Sequence, residues 1–287
     1  MPIPSLISVS WLAARLDAPR LKVIDASMYL ASAGRDAAAE FRAGHIPGAR
    51  YFSIEEASDP GSPLPHTMPD AVRFREIVAG LGISSGDHVV AYDASGVNFS
   101  APRAWWMFRS FGHDGVSVLD GGLQAWVRDG LPLEHGDPLP AVPGSFRASP
   151  VDGMVVGAAE VLASLGEGGQ VVDARSRGRF EGTEPEPRAG LRSGHMPGAR
   201  NLHYASVVDE KGLLRSRDEL RALLAASGID PSRRIIATCG SGITACSVLL
   251  ALDAADATTT TLYDGSWSEW GQRTELPVER GPVRQEE

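Results

Sequence analysis

The chain contains itself twice. Gly44-His45-Ile46-Pro47-Gly48-Ala49-Arg50 returns 150 residues on as Gly194-His195-Met196-Pro197-Gly198-Ala199-Arg200. Val23-Ile24-Asp25-Ala26 matches Val172-Asp173-Ala174, and Val89 to Asp93 aligns with Ile235 to Cys239. Leu119-Asp120-Gly121 pairs with Tyr263-Asp264-Gly265, each followed by a tryptophan, Trp126 or Trp270. A period near 147 residues is too long for a solenoid, so a chain of 287 residues is a duplicated domain. Gly136, Pro138, Pro140, Pro143 and Gly144 punctuate the middle and mark a linker. The reading predicts a first domain over residues 1–135, a linker over 136–153 and a second domain over 154–287.

Within each copy, short β-branched runs alternate with longer amphipathic stretches, the pattern of an α/β fold with a parallel sheet flanked by helices. In the second copy, helices are expected at Val155 to Leu165, Arg217 to Ser227 and Thr244 to Leu252. Strands are expected at Gln170 to Ala174, Arg234 to Thr238 and Thr259 to Tyr263. The first copy predicts strands near Leu21 to Asp25, His88 to Tyr92 and Ser117 to Leu119.

Composition narrows the function. A net charge of −9 argues against nucleic acid or an anionic membrane as partner, since both need a basic face. An anionic small molecule held by a local arginine cluster remains compatible. Cys239 and Cys246 are too few for a disulfide framework and lack zinc-knuckle spacing. The first residues lack the basic start and apolar stretch of a secretory signal, and no run of about 18 apolar residues occurs, so a cytoplasmic protein is expected. The seven histidines show no paired metal-ligand spacing and no Gly-rich nucleotide fingerprint is present, so neither metal nor bound cofactor is expected.

The chemistry concentrates in Cys239-Gly240-Ser241-Gly242-Ile243-Thr244, which follows a strand and precedes a helix. In an open α/β sheet this is the carboxyl end of a strand, where such folds bind ligands. Two glycines permit a tight loop with inward N–H groups, and the helix start adds partial positive charge. Both favour the anionic form of a thiol, which is the nucleophile. Cys239 is therefore the expected nucleophile, with Gly240, Gly242, Ile243 and Thr244 forming the loop that holds substrate. Cys246 falls two turns into the helix and reads as core.

On these residues the whole chain resembles the tandem-domain rhodanese-family sulfurtransferases: paired GHxPGA segments, paired Asp-Gly turns before a tryptophan, and one cysteine loop in the second copy. In that family the first domain has lost its nucleophile, and Asp93 stands where Cys239 stands. The loop is most similar to that of the 3-mercaptopyruvate-using members, where Val is more usual than Ile243. Thiosulfate-using members carry Arg and Lys at the positions of Gly240 and Ser241. Phosphatases of the same fold use Cys-x5-Arg, but the sixth residue after Cys239 is Ala245, which removes their phosphate clamp.

The resemblance implies further roles. Arg179 and Arg188, in a polar Pro-punctuated stretch expected to be a loop, match the arginines that hold the donor's carboxylate and carbonyl oxygen. Ser241 matches the serine of a proposed Ser-His-Asp relay, His66 its histidine, and Glu55 stands where an aspartate is expected. A His66 and Glu55 supplied by the first domain would put the site at the domain interface. His45 and His195 occur in both copies and read as architecture, with Asp25, Asp120, Asp173 and Asp264 expected to anchor loops. The implied reaction moves sulfane sulfur from 3-mercaptopyruvate through a Cys239 persulfide to a thiol, a thioredoxin-like protein or cyanide. The alternatives are a thiosulfate:cyanide sulfurtransferase and, from another class, a non-catalytic sulfur carrier.

Overall fold

A computed structural model describes residues 3–30 and 33–282. They group into two compact units: the first comprises the described residues of 3–60, 68–151 and 208–214, and the second 61–67, 152–207 and 215–282. Each half of the sequence thus gives one short segment to the unit built mainly by the other. Residues 136–151 group with the first unit, where Phe146 is buried against Phe74 and Phe108 at ring separations of 5.9 and 5.8 Å.

The first unit runs β1 (Leu6–Ile7), α1 (Val9–Ala13), β2 (Leu21–Asp25), α2 (Ala37–Ala43), β3 (Arg50–Tyr51), α3 (Ala71–Gly80), β4 (His88–Tyr92), α4 (Ala101–Ser110), β5 (Val116–Leu119), α5 (Gly122–Arg128). Its five strands are all parallel in the order β1-β5-β4-β2-β3. The second unit runs β6 (Val155–Val156), α6 (Ala158–Gly166), β7 (Gln170–Asp173), α7 (Arg177–Glu181), β8 (Arg200–Asn201), α8 (Arg217–Ala226), β9 (Ile235–Thr238), α9 (Ala245–Ala254), β10 (Thr260–Tyr263), α10 (Ser266–Trp270). Its order, β6-β10-β9-β7-β8, is the same topology. Every residue of β7 and β9 is buried, as expected of strands covered on both faces. Among the described residues no helix is long and apolar enough to cross a membrane.

Two expectations are corrected. Val155 and Val156 are not helical: they pair with Leu262 and Tyr263 as an edge strand, and α6 begins only after Gly157. A β-branched pair followed by glycine suits an edge strand better than a helix start. Arg179 lies not in a loop but in the short α7, which Ser176 caps by accepting from the Arg179 N–H and Gly182 ends at φ +76°. The irregular stretch begins at Gly182.

The paired motifs are architecture in both copies. His45 stacks on Phe41 (4.0 Å, 13°) and His195 on Phe180 (3.9 Å, 8°), each Nδ1 within 2.8–2.9 Å of that aromatic residue's carbonyl. Each backbone closes a two-bond bridge, His45 with Glu134 and His195 with Glu279. Trp126 and Trp270 are fully buried and donate from Nε1 to the carbonyls of Pro132 and Pro277, both at 2.8 Å.

The anchoring aspartates differ between copies. Asp25 accepts from the Ser27 N–H (2.8 Å) and Asp173 from the Arg175 N–H (2.9 Å), but Arg175 also pairs with Asp173 through its guanidinium. Asp120 accepts from the Leu214 N–H at 2.8 Å. Without a cation of its own, Asp25 is pushed up to about 6 from its ordinary 3.8, chiefly by burial. A carboxyl that holds its proton more tightly when folded stabilises fully below its unfolded pKa and loses that contribution as pH rises through the folded value. The loss by pH 7 is on the order of 3 kcal/mol. Asp25→Asn should therefore match the wild type near pH 3 in urea denaturation and exceed it in stability at pH 7. A stability difference independent of pH would contradict this assignment.

Candidate active site

The six-residue loop from Cys239 to Thr244 leaves the carboxyl end of β9, the middle strand of its sheet, and enters α9. Its backbone is tied down from one side. The Cys239 carbonyl accepts from the Trp267 N–H (2.9 Å), and the Gly240 carbonyl accepts from the N–H and Oγ of Ser268 (2.9 and 2.6 Å). The Cys239 N–H donates to Ser266 Oγ at 3.1 Å, and Ser266 Oγ donates to the Tyr263 carbonyl at 2.8 Å. Ser266 keeps this place at φ +50°, a left-handed conformation costly for a non-glycine residue; Gly122 holds the matching position of the first copy at φ +55°.

With two carbonyls anchored outward, the N–H groups of Gly240, Ser241, Ile243 and Thr244 bond to no protein acceptor among the described residues. They form, with the start of α9, a cradle available to an anion. Gly242 reverses the chain at φ +78°, and its carbonyl accepts from the Cys246 thiol at 3.3 Å. Cys239 is 2% exposed and Cys246 fully buried; neither is in a disulfide.

Both arginines reach this loop. A Cβ built on Gly240 would lie 3.0 Å from Arg179 Nη2 and 3.9 Å from Arg188 Nη1. A glycine is thus what allows Arg179 so close, and a larger residue there would have to displace it. Burial pulls Arg188 below the usual arginine range; Cys239 opposes the effect and Arg179 adds to it. Arg179 is itself held by Glu186, whose Oε2 accepts from Nη2 at 2.6 Å. Burial likewise lowers His203, with Arg179 reinforcing, and His203 packs edge-on to Tyr204 at 4.7 Å.

His66 joins the same unit as Cys239, although it comes from the first half of the sequence. Its Nδ1 lies 3.0 Å from Ser241 Oγ, and its φ is +61°, a region histidine tolerates better than most side chains. Glu55 falls in the first unit, on the turn around Ile54 to Ala57, where it lines a cleft with Tyr29, Arg35 and Tyr51. It is not among the residues gathered around Cys239 within the second unit.

The model of the rhodanese-like domain matches residues 8–129 and again 157–273. The chain belongs to the rhodanese family. It is 46% identical to human 3-mercaptopyruvate sulfurtransferase over 275 residues, 94% of this chain and 92% of that one. It is 42% identical to rat thiosulfate sulfurtransferase over 278 residues, 94% and 92% of the two chains. Among solved structures it resembles the crystal structure of SseA, one of the 3-mercaptopyruvate sulfotransferases, from Escherichia coli, with TM-score 0.84, 42% identity and coverage of 93% of this chain and 100% of that one.

The two rhodanese domains of the chain treat the same loop in opposite ways. In the first, Asp93 at the nucleophile position folds its carboxylate back: Oδ2 accepts from the N–H groups of Ser100 and Ala101 (2.9 and 2.8 Å), and Oδ1 accepts from the Ser95 N–H at 2.9 Å. A side chain of the protein itself thus occupies the N–H groups at the start of α4. Sequence reasoning missed Ser266, Arg175 and Glu186. The available signal was the difference between the copies: where the second has Arg175 and Ser266, the first has Ser27 and Gly122.

Proposed function

We propose that the protein transfers sulfur from 3-mercaptopyruvate. The observation that carries this reading is the placement of positive charge: Arg179 and Arg188 flank the Cys239 loop at Gly240, while the loop itself holds no cation. A donor whose carboxylate is remote from its sulfur fits that arrangement. A planar guanidinium bonds a carboxylate in two places and stays charged at any working pH.

In this mechanism Arg179 and Arg188 hold the carboxylate and carbonyl oxygen. The Cys239 thiolate attacks the donor sulfur, an S–S bond forms and the C–S bond breaks. Its electron pair leaves as the enolate of pyruvate, whose charge spreads onto an oxygen met by arginine. The thiol proton of the donor passes by way of Ser241 and His66 to the enolate carbon, giving pyruvate. The cradle of loop N–H groups stabilises the Cys239 persulfide. An acceptor thiol, a thioredoxin-like protein or cyanide then takes the outer sulfur and regenerates the thiolate, so the kinetics are ping-pong. A reducing compartment such as the cytoplasm keeps Cys239 free for this cycle.

The test is a side-by-side measurement of initial rates with mercaptopyruvate and thiosulfate. Mercaptopyruvate should give the larger kcat/KM by at least about tenfold, the scale of one misplaced charged hydrogen bond. A preference for thiosulfate would refute the reading, and absence of pyruvate release with either acceptor class would favour a sulfur carrier.

A further inference from the structure

We propose that Glu186 is a positioning residue that sets donor specificity: its buried carboxylate aims Arg179 at the Cys239 loop and cancels one of the cationic charges beside it, so that a monoanionic donor is accepted in preference to a dianionic one. The inference rests on the sulfur-transfer reading above and names what selects the donor.

The Glu186 side chain is 2% exposed and touches two guanidinium groups. Oε1 accepts from Arg175 Nη1 at 2.7 Å and from Arg179 Nε at 3.3 Å, and Oε2 accepts from Arg179 Nη2 at 2.6 Å. The nitrogen it grips, Arg179 Nη2, is the atom that overhangs Gly240. Arg175 is fully buried, gives its remaining donors to Asp173 and to the Gly194 carbonyl, and lies 4.1 Å over the Trp267 ring. Trp267 in turn donates its backbone N–H to the Cys239 carbonyl. One connected network therefore runs from the end of β7 to both sides of the cysteine loop.

Its charges sum to zero. Asp173 and Glu186 offset Arg175 and Arg179, so that among the described residues Arg188 is left to face the Cys239 thiolate and the donor. The nearby Glu184 is exposed, accepts from Ser176 Oγ at 2.8 Å and is screened by water. Arg188 is shared by the Cys239 thiolate and the donor carboxylate, so a second negative charge on the donor meets no further unpaired cation in this network. The network is particular to the second unit, since the first unit forms the same sheet with Ser27 where Arg175 stands.

Two variants separate charge from aim. Glu186→Gln removes the charge but keeps length and an acceptor oxygen; Glu186→Asp keeps the charge but draws it back by one methylene. For Glu186→Gln, the kcat/KM ratio of thiosulfate to mercaptopyruvate should rise about tenfold, the scale of one partly buried charge. For Glu186→Asp, KM for mercaptopyruvate should rise severalfold with no shift toward thiosulfate. Equal losses with both donors in Glu186→Gln, or an unchanged KM in Glu186→Asp, would overturn the proposal. Should Glu186→Gln not fold, inhibition of the wild type decides: propionate should inhibit at least about tenfold more strongly than malonate, and equal inhibition would overturn it. The ratio shift is read whichever donor the wild type prefers, so it fails independently of the functional reading.

Discussion

Cys239→Ser should reduce pyruvate release from mercaptopyruvate by more than about 10³-fold, the scale of removing a covalent nucleophile. A hydroxyl does not ionise near neutral pH and forms no persulfide, so neither the loop N–H groups nor Arg188 has an anion to support. The loop itself should survive, because its bonds run through the backbone of Cys239 and Gly240 to Ser266, Trp267 and Ser268. Cys246→Ser should keep most of the activity: its buried thiol donates to the Gly242 carbonyl, a bond a serine hydroxyl also makes. Mass spectrometry of donor-treated protein should find one added sulfur atom on Cys239. Its appearance on Cys246 alone would sink the assignment.

The second large effect is at His66. His66→Ala should lower kcat with mercaptopyruvate by roughly a hundredfold or more, as expected when a general acid–base group is lost, with little change in KM. The basis is the 3.0 Å contact between His66 Nδ1 and Ser241 Oγ inside the unit that holds Cys239. Because His66 sits at φ +61°, His66→Ala also costs some stability, so His66→Asn serves as control. Asparagine tolerates that backbone and bonds to Ser241, but moves no proton, and should lose as much turnover as alanine. If the two groups act together, Ser241→Ala and the double variant should lose no more than about what His66→Ala loses alone. Unchanged kinetics in His66→Asn would make His66 a structural residue of its turn.

The duplication, the central strands of each sheet and the cysteine loop were legible in the sequence because they are local. A buried parallel strand such as Ile235–Thr238 announces itself by its apolar run Ile235-Ile236-Ala237, and the matching turns around His45 and His195 repeat at every position but Ile46 and Met196. The two-residue edge strands were not legible. Val155–Val156 is too short to carry a period, and only pairing with β10 makes it a strand.

The sequence by itself determined that there are two copies of one α/β unit and that only the second carries a cysteine where the first carries Asp93. Tertiary structure alone decided how that difference is used. It turned the Asp93 carboxylate onto its own helix start, moved His66 into the unit of Cys239, and left Glu55 in the other. It also set Glu186 between Arg175 and Arg179. The physical reason is range. Periodicity and turn chemistry act over a few residues, whereas these bonds form only after the chain has folded back, between side chains whose spacing in sequence carries no signal.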